Sequence, residues 1–170
     1  MKNSKTSRKD TFQYQLKNFK MLLNGSKMAK ISSIILIALS LILAYISKEN
    51  IGVVISLLTG AFGLVVYIVK FLSLKNIKQK SYTQTSLVTS LSKFKGYVSK
   101  RKKYEMYFMA LWIITLIPFG PTVKFNYIAA IVAAVIYIGI VAVLGGLAFK
   151  KIDRQILTLE SVMKNELLQQ

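Results

Sequence analysis

Cysteine and histidine are both missing from this chain of 170 residues. Their absence excludes a disulfide framework, a zinc finger, haem ligation by histidine and any Cys or His nucleophile or base. Acid is scarce as well, with 6 Asp and Glu against 24 Lys and Arg. The six, Asp10, Glu49, Glu105, Asp153, Glu160 and Glu166, form no i, i+3 or i, i+4 carboxylate pair that could work as an acid and base. No Walker loop, G-x-S-x-G elbow or H-E-x-x-H helix is present. Ser90-Leu91-Ser92-Lys93 matches a bare Ser-x-x-Lys spacing, but it stands on an amphipathic helix without the rest of that machinery. The expectation is a protein that is not an enzyme and holds no cofactor and no metal.

What is abundant looks contradictory: 54% apolar residues alongside a formal charge of +18. The two are segregated along the chain. Ile31 to Ser47 is an uncharged run of 17, Ile51 to Val69 one of 19, and Tyr127 to Phe149 one of 23; a third run in chain order, Met106 to Val123, contains both prolines, Pro118 and Pro121. At about 1.5 Å per residue such runs reach roughly 25 to 35 Å, enough for a hydrocarbon core of about 30 Å. They are apolar all round, unlike the single stripe of a soluble surface helix. The fold class is therefore all-α, an integral membrane protein with four transmembrane helices in two hairpins and amphipathic cytoplasmic helices. The expected divisions are a basic arm over residues 1–30, a first hairpin over 31–72, a basic amphipathic helix over 73–105, a second hairpin over 106–149 and a tail helix over 150–170.

Basic residues number 22 in the arm, central segment and tail, against one in each hairpin loop, Lys48 and Lys124. The positive-inside rule then places both termini and the central segment in the cytoplasm of a bacterial inner membrane. Thirty residues precede the first run and no small-residue cleavage site closes it, so it is expected to stay as a span. Tyr104, Tyr107 and Trp112 read as an inner aromatic belt, and Tyr45, Phe125 and Tyr127 as an outer one. Lys100, Arg101, Lys102 and Lys103 stand just before span three. Their position makes them a topogenic anchor and lipid contact rather than a nucleic-acid site.

Three helical stripes share the basic side. Phe12, Leu16, Phe19 and Leu23 form one, opposite Lys17 and Lys20, with Asn24-Gly25 as a stop signal before the first span. Leu87, Leu91, Phe94 and Val98 form the second, and Ile152, Ile156, Leu159 and Met163 the third. Either they pack on one another and continue the bundle into the cytoplasm, or at least one lies on the leaflet with its lysines on anionic head groups. The second and third stripes are the expected contact surface for a cytoplasmic protein partner. Lys17, Lys20, Lys100, Arg101, Lys102 and Lys103 are the expected contacts for anionic membrane lipid.

Within the spans no ionisable residue offers a proton or ion relay, which argues against a proton-driven exporter. Small residues suggest close helix approach, within the chain or in a homo-oligomer: Ser56 with Gly60, Thr59 with Gly63, Ala130 with Ala134, and Ala142 with Gly146 near Gly139. Tyr137, in the middle of span four, needs a hydroxyl partner, and Ser40 or Thr115 could supply one. Pro118-Phe119-Gly120-Pro121 should end span three near Ile117.

The short basic helix, the two hairpins, the central stretch from Lys93 to Tyr104 and the tail beginning Lys150-Lys151-Ile152-Asp153-Arg154 together resemble a loose group of short bacterial four-span membrane proteins. The resemblance implies a layout and assigns no functional residue. The function expected is a non-catalytic membrane scaffold, sensor or regulatory subunit. The alternative is a small oligomeric channel or membrane-permeabilising effector.

Overall fold

A computed structural model of the chain describes residues 2–75, 77–79, 81–124 and 126–168, with the side chains of 2–10 and 165–168 left aside. Phe125 of the expected outer belt and Lys80 fall outside the described residues, as do the side chains of Lys2, Lys5, Arg8, Lys9, Asp10 and Glu166. The fold is all-helical: α1 (Lys2–Ile46), α2 (Ile51–Phe71), α3 (Gln84–Leu116), a 3-10 helix (Ile117–Val123) and α4 (Tyr127–Leu168), with no strand among the described residues. Four segments are long and apolar enough to cross a membrane, Thr11–Ile46, Ile51–Phe71, Gln84–Val123 and Tyr127–Lys164. The chain is a multi-pass membrane protein.

Three of the helices are far longer than a bilayer needs. At 45 residues, α1 extends to about 65–70 Å, roughly twice the hydrocarbon core. It passes through Asn24-Gly25 without a break, which corrects the expected stop. A helix-terminating glycine adopts positive φ, and no glycine in the chain does so. Likewise α3 runs across the 105/106 boundary and α4 across 149/150, so the amphipathic segments are extensions of spans and not separate helices.

A seven-residue register explains this continuity. Along α1, Phe12, Phe19, Ser26, Ser33 and Ser40 stand seven apart, with Ser47 next in the turn just past its end, and all but the half-buried Phe12 are buried. Alternating apolar positions at steps of four and three build a packing seam, and serine at the repeat lets a neighbouring backbone come close. Within the apolar stretch the hydroxyls of Ser33 and Ser40 donate to the carbonyls of Ala29 and Leu36, each at 3.0 Å, so neither is left unsatisfied. On α2 the seam reads Val53, Leu57, Gly60, Leu64, Tyr67 and Phe71, and on α3 it reads Leu87, Leu91, Phe94, Val98, Arg101, Glu105, Phe108, Trp112 and Thr115. Every one of these is buried or half-buried.

The described part of the α2–α3 connection and the extended ends of α1, α3 and α4 gather at one end of the molecule. There the three stripes close on one another: Phe19, Leu22 and Leu23 of α1, Leu87, Leu91, Phe94 and Val98 of α3, and Phe149, Ile156, Leu159 and Met163 of α4 form one core with Ile77. The Phe19 ring meets Phe94 and Tyr82 edge-on at centroid separations of 5.9 and 5.6 Å. Between the two alternatives the stripes pack, and the α1 arm belongs to the bundle instead of lying flat on the leaflet. The chain enters α3 through a reciprocal cap, in which the Thr83 amide donates to Ser86 Oγ at 2.8 Å and the Ser86 amide to Thr83 Oγ1 at 3.3 Å.

At the opposite end Ala44, Val53 and Leu57 make a small core with Leu116 and Phe119. Helix α3 stops at Leu116, as Pro118 requires, and tightens into the 3-10 helix around Pro121. Lys124, at φ 66°, turns the chain into α4.

Candidate functional site

The α3 seam meets its only charged stretch in Lys100-Arg101-Lys102-Lys103, and the register decides which of the four turns inward. Arg101 does: it is 8% exposed, while Lys100, Lys102 and Lys103 are exposed. One turn on, Glu105 takes the next seam position. Arg101 grips it with two donors, Nε to Oε2 and Nη2 to Oε1 at 3.1 Å, a fork geometry that guanidinium and carboxylate share. The Tyr67 hydroxyl of α2 donates to Glu105 Oε2 at 2.8 Å. The Phe149 ring of α4 lies 5.3 Å beneath the guanidinium carbon, within cation-π range. The cluster thus ties α2, α3 and α4 at one level, where the uncharged spans give way to charge.

Aromatic rings pack around the pair: Tyr67 lies 5.3 Å from Phe108 and Phe71 lies 4.5 Å from Tyr104. The Tyr97 hydroxyl faces Ser26 and Arg101, but neither it nor Ser26 Oγ makes a hydrogen bond of ordinary geometry. Arg101 cannot lose its proton in a protein, so the pair is permanently ionic on the arginine side. The pair is a structural tie between α2, α3 and α4.

Several expected sites must be corrected. Arg101 is not a lipid contact, because its head is spent on Glu105 and Phe149. Lys102 is drawn to Asp153 at 3.1 Å and Lys103 lies over the Tyr104 ring at 5.6 Å, both at exposed positions. Lys17, Lys20 and Lys100 are exposed and remain available. The expected partner surface is interior: Leu87, Leu91, Phe94, Val98, Ile156, Leu159 and Met163 are all 4% exposed or less, and Ile152 packs against the same core. Each stripe found its partner in another stripe of the same chain.

The packing residues divide between α2 and α4. Ser56 Oγ donates to the Thr115 carbonyl at 2.9 Å, and a Cβ added at Gly60 would stand 2.1 Å from Thr115 Oγ1. At Gly63 it would stand 3.1 Å from Leu111 Cδ2. The α4 trio is different. Ala142 is exposed, and nothing approaches a Cβ at Gly139 or Gly146 within 4 Å, so none of these packs within the chain. Instead Gly145, beside Met106, and the buried Ala134 face α3.

Tyr137 is 51% exposed and makes no bridge to Ser40 or Thr115. The buried bond belongs to Trp112, whose Nε1 donates to Ser40 Oγ at 2.8 Å, while Thr115 Oγ1 donates to the Trp112 carbonyl at 2.7 Å. At 5% exposure Trp112 is an interior residue, not a member of an aromatic belt. Ser40→Ala leaves the indole N–H unpaired and should cost about 1 kcal/mol, whereas Tyr137→Phe should leave stability unchanged; thermal unfolding of both purified variants checks this.

Searches against protein-family models, curated proteins and solved structures found no match to this chain.

Proposed function

We propose that this is a non-catalytic scaffold, sensor or regulatory subunit of the bacterial inner membrane, with both termini in the cytoplasm, whose basic cytoplasmic bundle engages anionic lipid or an acidic protein partner. One observation carries the reading. The apolar stripes are used up inside the bundle, and the sequence puts 22 basic residues in the arm, central segment and tail against 2 in the hairpin loops; among the described ones Arg101 alone is buried. A face of that composition attracts anionic surfaces through the field of its lysines.

Cross-linking in native membranes, amine-reactive for protein neighbours and photoactivated from a labelled phosphatidylglycerol for lipid ones, read by mass spectrometry, tests it. The expected result is a reproducible neighbour, protein or anionic lipid, joined through exposed lysines such as Lys17, Lys20 and Lys100. Their failure to join anything reproducibly would count against the reading.

A second reading, an oligomeric channel or permeabilising effector, draws on the uncovered Gly139, Ala142 and Gly146 on α4, where a second copy could approach closely. Dye and ion flux from vesicles holding the purified protein separates the two. Leakage favours the channel, and tight vesicles favour the scaffold.

A further inference from the structure

Where α1 and α2 emerge at the basic end, the chain leaves a cleft of about 630 Å³ between the turn of α1 around Ser26 and the α2–α3 connection. Lys27 and Lys30 line it from α1, and Lys75, Lys78 and Ser73 from the connection. None of its lining residues is acidic. Its floor is apolar, made by Ile68, Val69 and Leu72 at the end of the second span. A neighbouring cavity shares Lys27 and Lys78 and adds Lys20, so five lysines border one continuous depression.

Four like charges around a cleft repel one another and are uncompensated by any acid lining it. A bound anion removes that repulsion, and lysine is a point-charge donor suited to phosphate oxygens. The floor is also open to the surroundings, with Val69 68% exposed.

We propose that this cleft is a binding site for the phosphate of an anionic phospholipid, held by Lys27, Lys30, Lys75 and Lys78, while an acyl chain lies along Ile68, Val69 and Leu72. The apolar floor and the position at the ends of the first two spans select a lipid over a free phosphate, since basic pockets between spans at the cytoplasmic side suit phospholipid head groups. The inference rests on the cytoplasmic, lipid-facing reading above and adds a single place where lipid is retained. It involves none of Lys100, Arg101, Lys102 and Lys103.

Native mass spectrometry of the full-length protein in detergent, titrated with phosphatidylglycerol or with phosphatidylcholine of the same acyl chains, tests the proposal. The first phosphatidylglycerol should bind at least about 10-fold more tightly than phosphatidylcholine. Lys75→Gln with Lys78→Gln should weaken it about 30-fold, at roughly one lysine contribution each, and Lys27→Gln with Lys30→Gln should do the same. The control pair Lys100→Gln with Lys103→Gln removes equal charge and should change binding less than twofold. All four lysines of the cleft are exposed, so these variants fold. Equal losses in the control and cleft pairs would overturn the site while leaving the general attraction to anionic lipid standing. Displacement of the lipid by inorganic phosphate at millimolar concentration would overturn the lipid as occupant. No preference for phosphatidylglycerol in any form would overturn the site and the lipid reading together.

Discussion

Replacing Glu105 by alanine is expected to lower the stability of the folded protein by about 3–5 kcal/mol, the largest effect of any single surface-to-core change in the chain. The loss comes less from the missing contacts than from what stays behind. Arg101 remains buried and charged without its carboxylate. Tyr67 also loses the acceptor of its hydroxyl. Replacing both partners together, Arg101→Met with Glu105→Leu, removes the uncompensated charge. That double variant should be within about 1–2 kcal/mol of the parent, on either side, because a buried ion pair roughly balances its own desolvation. Denaturant or thermal unfolding of the two forms side by side measures the difference. If the single and double variants were equally unstable, Arg101 would not be buried as described.

Gly60→Val should be the second most damaging substitution, costing about 1–3 kcal/mol or more through overpacking. The added Cβ alone would fall 2.1 Å from Thr115 Oγ1 and 3.1 Å from Thr115 Cβ. Thr115 cannot simply swing away, because its hydroxyl is held by the Trp112 carbonyl and its own carbonyl receives Ser56. The α2–α3 contact must open to make room. Thr115→Ala placed beside Gly60→Ala should recover part of the loss, while Gly139→Ala, with open space around it, should be neutral or stabilising by up to about 1 kcal/mol through helix propensity. A ladder of unfolding midpoints for these variants gives the order directly.

How far the sequence could be read depended on following a register through charge. The four spans and their short outer turns were legible because uncharged runs of 17 to 23 residues admit few alternatives. The stripe Leu87, Leu91, Phe94 and Val98 was legible too. Continued by the same steps of three and four, it reaches Arg101, Glu105, Phe108, Trp112 and Thr115, and so singles out one of four adjacent basic residues as buried. Reading the block as one anchor hid this, since in a run of like charges composition outweighs register.

Asn24-Gly25 misled for a related reason. Local composition there signals a helix end, yet the seven-residue repeat from Phe12 to Ser47 passes through it, and packing along that seam outweighs the roughly 1 kcal/mol that a mid-helix glycine costs. Tyr137 was misplaced in azimuth. On a span that is apolar all round, sequence does not say which face meets protein and which meets lipid. The cleft around Ser26 was beyond reach for another reason: Lys27 and Lys75 are distant in sequence and come together only through the hairpin.

The picture as a whole depends on the basic-end extensions of α3 and α4 being docked, so that apolar stripes are inside and lysines outside. The chain has no cysteine, so any pair introduced is unique. Lys95 and Glu160, whose side chains meet at 2.7 Å at the exposed rim of the shared core, are the positions to use. In native membranes, Lys95→Cys with Glu160→Cys should be joined within one chain by a short bis-maleimide. A control pair at Lys95 and Lys48, separated by the bilayer, should not. If both thiols of the first pair accepted monofunctional label but never joined within one chain, the helices would diverge outside the membrane, and the packed basic bundle would be wrong.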